Sequence, residues 1–280
     1  MEKRSLALVT GASSGFGQLT AELLAENGFR VFGTSLKPTP SSPGVEMLEL
    51  DVTSTDSVET CIQHVLTQCE RIDLLVNNAG QTHATLIEET PMEVARKVFE
   101  TNFWGVVRVT HGVLPTMRTQ RSGLIVNVGS LAGLTGTPGQ GFYSASKHAL
   151  EGYTESLKVE IERFNVSVSL VEPGFFRTNL HHAMLRSAER IPAYDMLRTT
   201  IEAVVSEAIA GGDDPRKVAE KIVSIALSGR PKLRYRVGTD AEWVPRMKAV
   251  LPESWFLAGL RRRFRLDRTD APGGTRAASR

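Results

Sequence analysis

Ser5-Leu6-Ala7-Leu8-Val9-Thr10-Gly11-Ala12-Ser13-Ser14-Gly15-Phe16-Gly17-Gln18-Leu19 decides the reading of this chain. A short apolar run ends in a glycine-rich turn, and the turn leads straight into an amphipathic stretch over residues 17–27. Glycine at 11, 15 and 17 lets the backbone turn tightly, lets a pyrophosphate approach main-chain amides, and lets the following helix pack close to the strand. The helix N-terminus adds partial positive charge at the same place. Its place between first strand and first helix points to a dinucleotide site, although the spacing is G-x-x-x-G-x-G and not the commoner G-x-G-x-x-G.

Outward from this turn, strand-like and helix-like stretches alternate. Residues 5–10, 30–35, 47–50, 74–76, 124–128 and 167–171 are near-continuous in Val, Leu and Ile, as strands buried on both faces are. Residues 17–27, 54–69, 92–117 and 142–164 carry apolar side chains at three- and four-residue spacing. Residues 215–227 read as a further helix and 234–237 as a last strand. Repeated β-α units predict an α/β fold of the Rossmann type: a doubly wound, mainly parallel seven-stranded sheet with helices on both faces.

The chain has 280 residues, 41% hydrophobic and 23% charged, which excludes a disordered or collagen-like protein. One large domain is expected over residues 1–229, with a substrate lid at about 175–212. A basic extension over 230–268 packs on the same domain, and 269–280 form a flexible tail. No apolar run approaches the roughly 18 residues of a membrane span, and no secretory signal is evident. Cys61 and Cys69 fall on one helix too far apart to bridge, so a reduced, cytoplasmic setting is expected. No metal-ligand spacing stands out, His181-His182 included.

Two further stretches turn the glycine loop into a constellation. Asn77-Asn78-Ala79-Gly80 closes the fourth strand, and Tyr143-Ser144-Ala145-Ser146-Lys147 opens the helix after the fifth. With Thr10-Gly11 and its two following glycines, these stretches resemble, in order, the marks of the short-chain dehydrogenases/reductases. The resemblance spans about residues 5–180. It implies a catalytic set of Asn102, Ser130, Tyr143 and Lys147, because Ser130 lies 13 residues before Tyr143 and Asn102 lies 28 before Ser130. It also implies nicotinamide-cofactor contacts from Gly11, Ser13, Ser14, Gly15, Phe16, Gly17, Asn78, Ala79, Gly80, Tyr143 and Lys147. Asp51 and Val52 would meet the adenine, and Pro173, Gly174 and Thr178 the nicotinamide side. Gly129 departs from the pattern, since many members carry a second Ser there.

The chemistry has its own logic. Hydride arriving at a carbonyl carbon leaves an alkoxide, so the site must hold that oxygen and deliver a proton. Tyr143 is the expected donor, with Lys147 at i+4 on the same helical face bringing the phenol toward neutral pH. Ser130 would orient the oxygen. By resemblance, Asn102 would hold a water linking Lys147 to solvent.

A carboxylate about 20 residues past the glycine loop binds the ribose hydroxyl of NAD and repels the phosphate of NADP. Residues 31–37 contain no acid, and Ser35 and Lys37 suit a phosphate, so NADP(H) is favoured over NAD(H). On the substrate side, Phe175, Phe176, Leu180 and Met184 are expected to line an apolar pocket. The stretches around Asn102 and Pro173 look like the hydroxysteroid and retinol dehydrogenase branch, which implies a bulky apolar ketone, aldehyde or secondary alcohol. An NAD-dependent alcohol dehydrogenase and a non-catalytic nucleotide-binding sensor or scaffold remain the alternatives.

Residues 1–229 carry 20 Lys/Arg against 26 Asp/Glu, whereas 230–280 carry 13 against 5. Within that basic end, residues 255–266 mix Trp, Phe and Leu with four arginines. A helix docked on the core is the favoured reading and peripheral membrane contact the second; nucleic-acid binding is not expected. The resemblance also implies a homodimer or homotetramer.

Overall fold

Alternate residues of the first strand leave in opposite directions and both sets are fully covered. The computed structural model describes residues 5–38, 42–177 and 190–266. In β1 (Leu6–Val9), Ala7 and Val9 enter one apolar cluster, while Leu6 and Leu8 enter another on the far side of the sheet. That two-sided burial is why the strands lack an apolar/polar alternation.

The other strands are β2 (Arg30–Ser35), β3 (Val45–Glu49), β4 (Leu74–Asn77), β5 (Gly123–Val128), β6 (Val166–Pro173) and β7 (Arg234–Val237). They form one seven-stranded sheet in the order β3-β2-β1-β4-β5-β6-β7, and every pairing is parallel. On one face lie α1 (Gly15–Glu26) and α7 (Arg216–Ala226), which bury Leu24 and Ile222 against Val31, Val76, Val126 and Val171. On the other lie α2 (Thr55–Cys69), α4 (Val106–Gln120) and α5 (Gly141–Ile161), with Ile62, Val65, Val113, Met117 and Leu157 over Phe32, Leu75, Ile125 and Val168. Each fully buried side chain of this size stabilises the fold by about 2 kcal/mol relative to exposure.

The expected helix over 92–117 is a composite. α3 (Met92–Phe99) runs into a π-helical stretch, Glu100–Gly105, before α4 begins. Gly105 allows the close packing there: a Cβ on it would lie 2.8 Å from a Val52 methyl. An extra residue in the turn rotates Asn102 inward, where it is fully buried.

The region after β6 also differs from expectation. Phe176 makes a parallel bridge to Asp213, and α6 (Asp195–Ala210) follows the described segment that starts at Arg190. That segment is pinned to the loop after β4. Ile191 N–H donates to Glu89 at 2.7 Å, Arg198 Nε donates to the other oxygen of Glu89 at 3.0 Å, and the Tyr194 hydroxyl reaches Glu88. The last helices among the described residues are α8 (Thr239–Val250) and α9 (Glu253–Arg263). Thr178, Leu180, His181, His182, Met184 and the 269–280 tail lie outside the described residues. Among the described residues, no helix is long and apolar enough to cross a membrane.

Candidate active site

Because the sheet is parallel, the loops after β1, β2, β3, β4 and β5 all emerge at one edge, and the chain diverges there between β1 and β4. The result is a cleft of about 750 Å3. Of the residues expected to hold a cofactor, Gly11, Ser13, Ser14, Gly15, Phe16, Ser35, Lys37, Asp51, Val52, Asn78, Ala79, Gly80, Tyr143 and Lys147 all line it.

Its floor is a cross-brace between the first and fourth strands. The Thr10 hydroxyl accepts from the main-chain amides of Asn78 and Ala79, both at 3.0 Å. Asn78 Nδ2 donates in return to the carbonyls of Thr10 and Gly11, each at 3.0 Å. Gly17 does not line the cleft but makes it: a Cβ there would sit 2.2 Å from the Gly11 carbonyl oxygen. Gly11, at φ +67, turns the chain in a region that disfavours other residues. Ser14 precedes α1 without capping it through its side chain, so first-turn amides are left for a ligand. These features fit a dinucleotide diphosphate.

Ser130, Tyr143 and Lys147 converge where β5 ends. Ser130 Oγ accepts from Ala132 N–H at 3.1 Å, which leaves its own proton for the Tyr143 hydroxyl, with which it is hydrogen bonded. Lys147 Nζ donates to the Val128 carbonyl at 2.8 Å and lies 5.8 Å from the centre of the Tyr143 ring. Burial pushes the Tyr143 phenol above its ordinary value, and the Ser130 hydrogen bond opposes this. That corrects the expectation of a phenol lowered by its neighbouring cation: the ammonium is held over the ring by a carbonyl, and desolvation wins. Burial lowers Lys147 to about 8, against an upward pull from Glu151 one turn further along. Glu151 is itself pushed up to about 7, by burial first and then by the nearby Glu172.

Asn102 acts on the backbone. Its Oδ1 accepts from Gln81 N–H at 2.7 Å, and its Nδ2 donates to the Gln81 carbonyl at 2.8 Å and to Ser146 Oγ at 3.1 Å. Ser146 in turn donates to the Tyr143 carbonyl at 2.8 Å. Asn102 thus ties the loop after β4 to the helix that carries Tyr143 and Lys147.

Several expected residues stand elsewhere. Pro173 and Gly174 end β6 next door but do not line the cleft. Phe176 is buried in the main core, edge-on to Phe16 with ring centroids 5.5 Å apart, because the bridge to Asp213 draws it inward. Phe175 lines a separate cavity with Gly211, Asp213 and Thr239. Neither phenylalanine is therefore a wall of the cleft. Sequence reasoning missed Thr53, Gln81, Lys97, Glu100 and Thr101, which do line it. Lys97 precedes the π-helical turn and Glu100 and Thr101 open it, and no helical periodicity signals such a turn.

His83, just past the Asn78-Ala79-Gly80 stretch, is fully buried beside the Phe142 ring, and burial lowers it to about 4 from an ordinary 6.5. Between those two values the unfolded chain binds the proton that the folded chain refuses. Stability therefore falls as pH drops through that window. Relative to wild type, a His83→Leu variant is expected to gain about 2 kcal/mol of unfolding free energy at pH 4 compared with pH 7, measured by urea denaturation. Parallel pH profiles would contradict this.

The family model for short chain dehydrogenases matches residues 5–189. A 3-ketodihydrosphingosine reductase of Bacteroides thetaiotaomicron is 38% identical, over 91% of this chain and 96% of its own. Retinol dehydrogenase 8 of Bos taurus is 35% identical, over 88% and 85%. Among solved structures, a short-chain dehydrogenase from Streptomyces avermitilis matches with a TM-score of 0.77 and 35% identity, over 92% of each chain. The chain belongs to the short-chain dehydrogenase family. It is an oxidoreductase whose cofactor is a nicotinamide nucleotide.

Proposed function

We propose that this protein is an NADP(H)-dependent carbonyl reductase acting on a bulky apolar ketone or aldehyde, with long-chain lipid ketones first and retinoid- or steroid-like carbonyls second. The nicotinamide, when bound, supplies the hydride. Tyr143 supplies the proton to the nascent alkoxide, Ser130 orients that oxygen by a hydrogen bond, and Lys147 keeps positive charge beside the phenol. Asn102 and Ser146 hold the helix and loop in register.

The observation that carries the reading is the placement of Tyr143 and Lys147 on the wall of the cleft, with the ammonium 5.8 Å from the centre of the phenol ring and Ser130 beside the hydroxyl. A phenol raised by burial keeps its proton at neutral pH, which suits the reductive direction. The names of the two relatives, a 3-ketodihydrosphingosine reductase and a retinol dehydrogenase, support an apolar substrate. Assaying the purified protein with NADPH against long-chain 3-ketones, retinal and steroid ketones tests it. Turnover restricted to small polar carbonyls would overturn it.

The NADP preference rests on charge at the end of β2. Ser35, Leu36 and Lys37 line the cleft there without a carboxylate. Asp51, which lines the cleft from the loop after β3, is engaged with the Thr53 amide at 2.8 Å and hydroxyl at 2.7 Å. The Ser35 hydroxyl donates to the Lys37 carbonyl at 2.8 Å, so it shapes the turn and Lys37 provides the charge. A Lys37→Glu variant is expected to lose about 30-fold in kcat/KM with NADPH and much less with NADH. Equal losses with both cofactors would contradict the assignment.

A further inference from the structure

α8 and α9 are sparsely covered by the rest of the described residues. From residue 239 to 266, only Ala241 and Phe264 are buried. Helix pairs of this length are marginal without a covered face, so the uncovered side chains call for an explanation. On α8, Trp243, Met247 and Val250 fall at i, i+4 and i+7, which places them along one side of the helix, and Leu251 follows as the residue that ends it. All are exposed, Trp243 by 58% and Val250 by 79%. After the turn at Pro252, Trp255 and Leu257 extend the apolar surface, Trp255 exposed by 68%.

α9 is docked through a different side. Leu260 and Phe264 pack with Ile201, Val204 and Val205 of α6. Docking leaves Trp255, Leu257 and the arginines outside. Arg261 and Arg262 are exposed and make no ion pair among the described residues. Arg246 lies 5.3 Å from the Trp243 ring centroid. The segment as a whole carries six basic side chains against three acidic ones.

We propose that α8 and α9 form a docking platform for the surface of an anionic lipid bilayer, with Trp243, Met247, Val250, Leu251, Trp255 and Leu257 entering the interface and Arg261 and Arg262 meeting lipid phosphates. Tryptophan and leucine beside unpaired arginine are what an interfacial helix presents to such a surface. A second copy of the chain is a poorer occupant, because a two-fold contact would set this face against itself and bring like charges together. The platform is also fastened to the active site: Lys248 Nζ donates at 2.7 Å to the carbonyl of Leu134, four residues past Ser130. The inference stands whichever carbonyl the cleft accepts, since binding to lipid is read without turnover.

The test is co-sedimentation of the full chain with vesicles of phosphatidylcholine alone and of equal parts phosphatidylcholine and phosphatidylserine. Binding is expected to be at least about tenfold tighter to the anionic vesicles and to weaken with added salt, with a blue shift of tryptophan emission. A Trp243→Ser/Trp255→Ser variant should lose about tenfold of that binding, and so should Arg261→Glu/Arg262→Glu, while both keep wild-type turnover of a water-soluble carbonyl. No binding to either vesicle, or binding unchanged by both variants, overturns the proposal. So does a dimer in sedimentation velocity that both variants dissolve without any wild-type vesicle binding.

Discussion

Replacing Tyr143 by Phe is expected to lower kcat/KM for carbonyl reduction by three to four orders of magnitude, roughly the contribution of a positioned general acid. The ring itself should stay in place, because the substitution removes one oxygen and keeps the contact beneath the Lys147 ammonium. Cofactor affinity is therefore expected to change by less than about threefold. Ser130 loses its hydrogen-bond partner, at a cost in stability of about 1 kcal/mol. Steady-state kinetics together with fluorescence titration of NADPH check all three. Retention of turnover would remove Tyr143 as the proton donor, whereas a scaffold that keeps the fold without chemistry would show no turnover in wild type and an unchanged biological output in the Phe variant.

The second large effect couples activity to stability. Lys147→Met is expected to reduce turnover at least about 1,000-fold, since no cation then stands beside the phenol as charge develops. It should also make the ligand-free protein more stable at pH 7. Burial lowers the folded Lys147 to about 8 from 10.5, so at neutral pH the wild type carries a buried charge that Met does not. The lost hydrogen bond to the Val128 carbonyl offsets part of that gain, leaving about 1–2 kcal/mol. The sign with pH follows from linkage. Between about 8 and 10.5 the unfolded lysine keeps a proton that the folded one has released, so wild-type stability rises through that window and the advantage of Met shrinks. Urea denaturation from pH 7 to pH 10 measures it, and a Met variant less stable at pH 7 would contradict the account. The same deprotonation should make wild-type reduction decline above about pH 8.

Much of this was legible in the sequence for a definite reason. Strands buried on both faces write themselves as unbroken apolar runs, and all seven expected strands stand in the sheet. The glycine turn, the Asn78-Ala79-Gly80 loop and the Tyr143/Lys147 pair each depend on short-range backbone geometry, and the fold brings them to one cleft. What resisted reading depends on long-range packing. The π-helical turn that rotates Asn102 inward adds no composition signal to an otherwise regular helix. Phe176 reads as a pocket residue from its place after Pro173, yet a bridge to Asp213 carries it into the core. The direction in which Tyr143 shifts needed the burial of the phenol and the carbonyl that holds Lys147, neither visible from an i+4 spacing.

Isotope tracing tests the central claim most directly. The protein is mixed with NADPH deuterated at the transferable position of the nicotinamide and with the best apolar ketone, and the product alcohol is examined by mass spectrometry. One deuterium is expected on the carbinol carbon, delivered by wild type and at a rate reduced at least about 1,000-fold in Tyr143→Phe. Alcohol without the label, or label delivered at an unchanged rate by the Phe variant, would contradict it.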